Sequence, residues 1–302
     1  MGKRELLSIV VPTKNRASSL RRLLASLQHQ DYQPCEVIVV DDASDAPPRS
    51  ENGVRVILRE TSGGPGPARN DGITASSGAF IAILDDDCEI IDSSLLVRAA
   101  EILERYPRCG AVAFTQADAS GRPWPAGLQV TRSSVPCYAP QFFGFGALLR
   151  GQAMREVGGF ALDYYYEEIE LSLRLLDAGW SVIHDPSLTI VHHHDWQGRD
   201  WRDLNRRILR NTILTAFLRY PAWLVPVVVS LYAQNHLRRS RAGMLNPYLP
   251  SPDPEARADW AGVVWALSGS AQELPVTLHN RRAVRWKTIR RWRHLRERPK
   301  TL

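Results

Sequence analysis

The stretch Ala79–Ile90, AFIAILDDDCEI, decides how this chain is read. Five apolar residues, Phe80 to Leu84, run directly into Asp85, Asp86 and Asp87. A short apolar run ending at a polar break predicts a buried central strand of a sheet flanked by helices. Its carboxyl end would deliver three carboxylates to the edge where open α/β sheets bind ligands. Adjacent carboxylates repel, and a bound divalent cation offsets that repulsion. The competing reading is an acidic turn that caps a helix, because Asp is frequent at N-caps.

Working outward, Leu7–Val11, Glu36–Val40 and Val54–Leu58 read as strands before the central one, and Gly110–Phe114 as one after it. Helices are expected from Ser18 through Leu27, over Ala68–Ser76 and from Leu95 to Tyr106, with Ser62–Pro67 (SGGPGP) a loop. Strands alternating with helices at these intervals indicate a largely parallel sheet with crossover helices. No GxGxxG follows the first strand and no GxxxxGK[ST] occurs, so dinucleotide and P-loop readings fail. Residues 118–140 read as loops or a small antiparallel excursion, and Phe142–Arg150 as a strand. A helix is expected within Tyr164–Gly179, then short strands at Ser181–Ile183 and Leu188–Val191, then His192, His193 and His194.

The chain has 302 residues, 44% hydrophobic and 23% charged, which suits a packed globular core. Its four cysteines are scattered without a CxxC pair, which argues against a zinc site or disulfide framework and suits a reducing cytoplasm. Leu6–Val11 is too short for a signal peptide's apolar region, and the longest apolar run, Ala222–Ala233, is too short to span a bilayer and is interrupted by Pro226. The chain is therefore expected to be soluble or peripheral. Net charge is +6, with a dense basic set between Arg281 and Lys300 opposed only by Glu297. That tail points to a phosphate-rich partner. No nucleic-acid recognition motif accompanies it, so nucleic acid is not the expected partner.

Several motifs, in this order, resemble those of family 2 nucleotide-sugar glycosyltransferases of the GT-A fold. They are SIVVPTKNR (8–16), VIVVDDAS (37–44), GPARNDGI (66–73), FIAILDDD (80–87), FGFGALLR (143–150), VGGF (157–160), YEEIELSLRLLDAGW (166–180) and the histidine run. The resemblance implies a Rossmann-like, mostly parallel α/β sheet flanked by helices, over residues 1–198. A nucleotide-binding half would cover about 1–115 and an acceptor half about 116–198, with a helical extension over 199–302. It implies an inverting, metal-dependent transferase moving a sugar from a nucleotide-diphospho-sugar, UDP- or dTDP-linked, to an acceptor hydroxyl. The acceptor would be a glycan or a lipid-linked glycan of the bacterial surface, with a small-molecule acceptor as the alternative.

By the same resemblance Pro12, Thr13, Asn15, Arg16, Asp42 and Arg69 would contact the nucleotide, with Asp42 accepting from a pyrimidine N–H. Asp85 and Asp86 would lie against ribose or metal, and Asp87 would bind Mn²⁺ or Mg²⁺ together with His192 or His193. Asp42 as a turn residue, and Arg69 as a solvent-facing helix residue, stay open beside those roles. Glu168 would be the catalytic base, and its place in a helix's first turn favours the ionised form. A nucleotidyltransferase would need a longer basic loop after the first strand than Pro12–Arg16 provides, and a purely binding protein would need no base.

In the extension, Trp201–Tyr220 and Ala222–Leu237 are expected to be helical and Asn246–Pro254 a linker. The helix pair would serve the acceptor side, dock on a membrane, cover the core or join a homo-oligomer. The run 281–298 places Val284, Ile289 and Trp292 along one side of a basic helix. Such a helix fits the inner face of an anionic cell membrane, or alternatively folds against acidic parts of its own domain or of a second subunit.

Overall fold

A computed structural model describes residues 4–50, 53–193, 201–241 and 260–302. The strands β1 (Leu7–Thr13), β2 (Cys35–Asp41), β3 (Val54–Leu58) and β4 (Phe80–Leu84) lie parallel in the order β3-β2-β1-β4. Between them run α1 (Ala17–Leu27) and α2 (Pro65–Ala75). Along β4, Phe80, Ala82 and Leu84 face one apolar core while Ile81 and Ile83 face a second. Both faces are covered, which is why the run is continuously apolar instead of alternating.

After the acid triplet come β5 (Cys88–Glu89), α3 (Leu95–Arg105), β6 (Cys109–Ala117), β7 (Cys137–Ala139), β8 (Gly146–Arg150) and α4 (Gly151–Val157). Then follow α5 (Glu167–Asp177) and β9 (Ser181–His192). Strand β8 runs antiparallel between β4 and β6, and β9 runs parallel beside β6. The two short strands expected at 181–191 are thus one strand, which carries Pro186 with a register shift against β6. Helix α2 starts inside the expected SGGPGP loop, because Pro65 fits a first helical turn whose missing N–H costs no bond.

The extension contains α6 (Trp201–Arg219), α7 (Val225–Arg241), α8 (Trp260–His279), α9 (Trp286–Glu297) and the edge strand β10 (Lys300–Thr301). The expected linker at Asn246–Pro254 lies outside the described residues. A third apolar cluster joins Leu173 and Leu176 of α5 to Tyr220, Val228, Ile289, Trp292 and Leu295. The apolar side of the basic tail is therefore buried against its own chain and not free to enter a membrane. Asp177 fastens it, accepting from the Arg285 backbone N–H at 2.9 Å and from the Thr288 hydroxyl at 2.5 Å. Among the described residues no helix is long and apolar enough to cross a membrane.

Candidate active site

Because β1, β2 and β4 are parallel, their carboxyl ends share one edge, and the site residues gather there. Thr13, the last residue of β1, donates to Asp86 Oδ2 at 2.7 Å. Arg16 reaches Asp86 Oδ1 at 3.2 Å and Asp87 Oδ2 at 2.8 Å, so its guanidinium offsets the paired acids. Burial pushes the Asp86 carboxyl up to about 6, against the Thr13 hydrogen bond and Arg16.

His192 Nε2 lies 3.2 Å from Asp87 Oδ1. His193 instead turns to Glu89 Oε2 at 2.7 Å, because consecutive residues at a strand end face opposite ways. Of the two, His192 is the one that faces Asp87, while His194 lies outside the described residues. Gln116, near the end of β6, donates through its amide nitrogen to Leu128 O at 2.5 Å, and its oxygen meets His192 Nδ1 at 3.0 Å. The two ring nitrogens of His192 thus face the Gln116 side-chain oxygen and the Asp87 carboxylate, and Asp87 and His192 together offer a carboxylate oxygen and an imidazole nitrogen that could hold a cation. The ring stacks between Trp124 and Phe145, at 5.5 and 5.3 Å between centroids.

Cys88 shares this cluster: its sulfur and donor atoms of Asp87 and His192 lie within 4.8 Å of one another. Burial raises the Cys88 thiol well above its ordinary value, and Sγ donates to Phe145 O at 3.1 Å. The donors suited to a hard divalent cation are therefore carboxylate and imidazole, and the set fits Mg²⁺ or Mn²⁺.

Across the cleft, Arg69 is 2% exposed, which excludes the solvent-facing alternative. Its Nη2 contacts Asp85 Oδ1 at 2.7 Å and its Nη1 contacts Glu167 Oε1 at 2.9 Å, so one guanidinium ties the triplet to the start of α5. Glu168 Oε1 accepts from the Gly144 N–H at 2.7 Å. A Cβ at Gly144 would fall 2.6 Å from that oxygen and 2.3 Å from Arg69 Nη2, so only glycine fits there. Burial raises the Glu168 carboxyl, with Arg69 and the Gly144 amide opposing. Burial thus works against the helix dipole that favours the ionised form, and a raised carboxyl is the stronger proton acceptor once ionised. Burial, then the Glu168 charge, raise Glu167 well above its ordinary value in spite of Arg69.

The turn before α5 is strained: Tyr165 and Tyr166 have φ of 62° and 71°, left-handed values that side chains disfavour. The fully buried Asn211 of α6 holds it, donating to Tyr164 O at 2.5 Å and Tyr165 O at 2.9 Å.

Two expected nucleotide contacts are engaged elsewhere. Asp42 accepts from Arg59, Ser62 and the Gly63 and Gly64 amides, which fill its acceptor positions and organise the loop entering α2. Burial works to raise its carboxyl, but the Gly63 amide, the Ser62 hydroxyl, the Gly64 amide and Arg59 together hold it below its ordinary value. In this arrangement Asp42 organises the turn, the alternative that its sequence position left open beside a nucleotide contact. Asn15 clasps the loop after β2, donating to Asp45 Oδ2 at 3.0 Å and accepting from its N–H at 2.8 Å. Pro12 is buried within β1 opposite Val40. Sequence reading missed Gln116, Trp124 and Asn211; only Gln116 carried a signal, a polar residue continuing an apolar strand.

Residues 8–152 match the family model described as Glycosyl transferase family 2. The pre-mycofactocin glycosyltransferase of Mycobacterium tuberculosis is 30% identical over 247 residues, 74% of this chain and 50% of that protein. The chain thus spans about half the length of this relative. The mannosyltransferase PcManGT from Pyrobaculum calidifontis, solved with GDP-Man and Mn²⁺, superposes with a TM-score of 0.56 at 17% identity, over 92% of this chain and 84% of that one. S. aureus TarS 1–349 with UDP-GlcNAc gives 0.56 at 16% identity, over 90% of each chain. These likenesses establish the GT-A fold.

Proposed function

This chain belongs, through residues 8–152, to glycosyl transferase family 2, and from that premise we propose an inverting, metal-dependent sugar transfer from a nucleotide-diphospho-sugar. The observation carrying this reading is the meeting of Asp87 and His192 on one side of the cleft with Glu168 on the other, joined through Asp85, Arg69 and Glu167. Asp87 and His192 would hold the Mn²⁺ or Mg²⁺. The cation, when bound, supplies positive charge for the departing diphosphate.

Glu168 takes the proton of the acceptor hydroxyl as its oxygen bonds to the anomeric carbon. The bond from that carbon to the diphosphate oxygen breaks, and its electron pair leaves with the nucleoside diphosphate. The Gly144 amide and Arg69 hold Glu168 and Glu167 in place. Thr13 and Arg16 steady the acid cluster beside the donor. Binding alone needs no such base, which favours an enzyme over a nucleotide-sugar-binding protein.

We place the acceptor among glycans or lipid-linked glycans. The relative named for pre-mycofactocin makes a small soluble acceptor the second arm of the assay. Exposed Trp223, Leu231, Trp260 and Val264 on and around α7 and α8 are the surface where an anionic membrane or a second subunit would dock. Vesicle sedimentation and light scattering separate those two.

The test is a thermal-shift panel of UDP- and dTDP-sugars with Mn²⁺, followed by turnover of the stabilising donor. Glu168→Gln should lower kcat by about two to four orders of magnitude with donor binding nearly unchanged. Turnover unaffected by Glu168→Gln and by chelation would overturn the mechanism.

A further inference from the structure

The opposite end of β9 opens onto a second concavity. A groove of about 420 Å³ is lined by Arg108, Tyr138, Ser181, Arg291, His294 and Lys300, with no Asp or Glu among the described residues of its wall. None of its four basic side chains has an ion-pair partner among the described residues.

These basic side chains sit on fixed elements. Arg108 donates to Ala178 O at 2.9 Å, and its guanidinium lies 4.3 Å over the Trp180 ring. Arg291 and His294 are three apart on α9 and so share a face, while Ile289, Trp292 and Leu295 anchor that helix in the core. Lys300 is held by pairing of β10 with β7, opposite Tyr138. Like charges gathered in a concavity repel one another and concentrate a field that an anion relieves. Guanidinium and ammonium donors beside a phenol suit phosphate oxygens.

The groove is remote from the acid cluster. Ser181 and Val191, at opposite ends of the same strand, pair with Cys109 and Ala117 of β6, and at about 3.3 Å per residue along β6 they are on the order of 25 Å apart. A donor diphosphate at the Asp87 edge therefore does not reach it. We propose that this groove binds a phosphate- or diphosphate-bearing anion at a site separate from sugar transfer.

The shared chemistry admits a soluble phosphate compound or a lipid headgroup, so the experiment has two arms. Inorganic pyrophosphate is titrated calorimetrically into the full chain in EDTA, which removes metal-dependent binding at the donor edge. In parallel, sedimentation is measured with phosphatidylcholine vesicles with and without phosphatidylglycerol. Arg291→Glu and Lys300→Glu, both at exposed positions, are compared with wild type in each arm. Saturable pyrophosphate binding that weakens about tenfold or more in both variants supports a soluble ligand. Sedimentation that requires phosphatidylglycerol and falls in both variants supports a headgroup. Either result should leave donor turnover intact. No binding of either probe, or equal binding by wild type and both variants, overturns the site.

Discussion

Gln116 is the residue whose substitution most directly tests how His192 is set. Gln116→Leu removes the acceptor at Nδ1, and loss of such a partner weakens metal binding by about 10–100-fold. Gln116→Glu keeps an acceptor there and should retain most of the affinity, measured by electron paramagnetic resonance titration of Mn²⁺. Equal Mn²⁺ affinity in both variants and wild type would show that the ring is held by stacking alone. His184 makes a different prediction. It is buried between Thr115 and Thr131, and burial lowers its imidazole from 6.5 to about 4. The unfolded chain then takes a proton first, so stability falls as pH drops from about 6.5 towards 4, by about 3 kcal/mol in total. Asp86, raised to about 6, acts oppositely, because the folded state protonates first and gains stability as pH falls through that value. The difference in unfolding free energy between wild type and His184→Gln isolates the histidine. The variant should gain on wild type during acidification, whereas a difference that stays constant with pH would refute a neutral buried His184.

Among the elements, the strained turn before α5 depends on α6, since Asn211 donates to two successive carbonyls of that turn. Asn211→Ala should lower stability by about 1–3 kcal/mol. It should also reduce kcat while leaving the donor dissociation constant unchanged if Glu168 is the proposed base on the acceptor side; a uniform loss of donor binding would point to a general packing role. The central strand and base helix were legible because local periodicity and the acids at their ends lie in one short window. The positions of Asp87 just after β4 and of Glu168 in the first turn of α5 were readable for the same reason. Asn211 was not, because its partners lie more than 45 residues away in sequence, at Tyr164 and Tyr165. Gln116 showed only as a polar residue continuing an apolar strand, and its partners Leu128 and His192 lie far along the chain. Helix α8 escaped sequence reading as well, with Pro275 inside it and apolar Trp260, Val264 and Val276 left exposed.

At the scale of the whole molecule, the basic tail and the catalytic half share one core. Trp292 is 3% exposed and packs in the cluster that also holds Leu173 and Leu176 of the base helix. Trp292→Ala should therefore cost about 3–5 kcal/mol in urea unfolding and reduce activity, whereas exposed Arg293→Ala should do neither. Equal stability of the two variants would show that α9 is an appendage. The sheet order adds a consequence for synthesis. Strand β9 lies between β7 and β6, yet it is made after both. Until residue 192 has emerged, β6, buried along its whole length in the finished fold, keeps one flank unpaired. An apolar strand with an open edge is a template for intermolecular pairing, and pairing at long sequence separation forms slowly. The nascent chain thus passes through an aggregation-prone interval that closes only when β9 inserts, and a translational pause before residue 192 has emerged would lengthen its exposure to neighbouring chains.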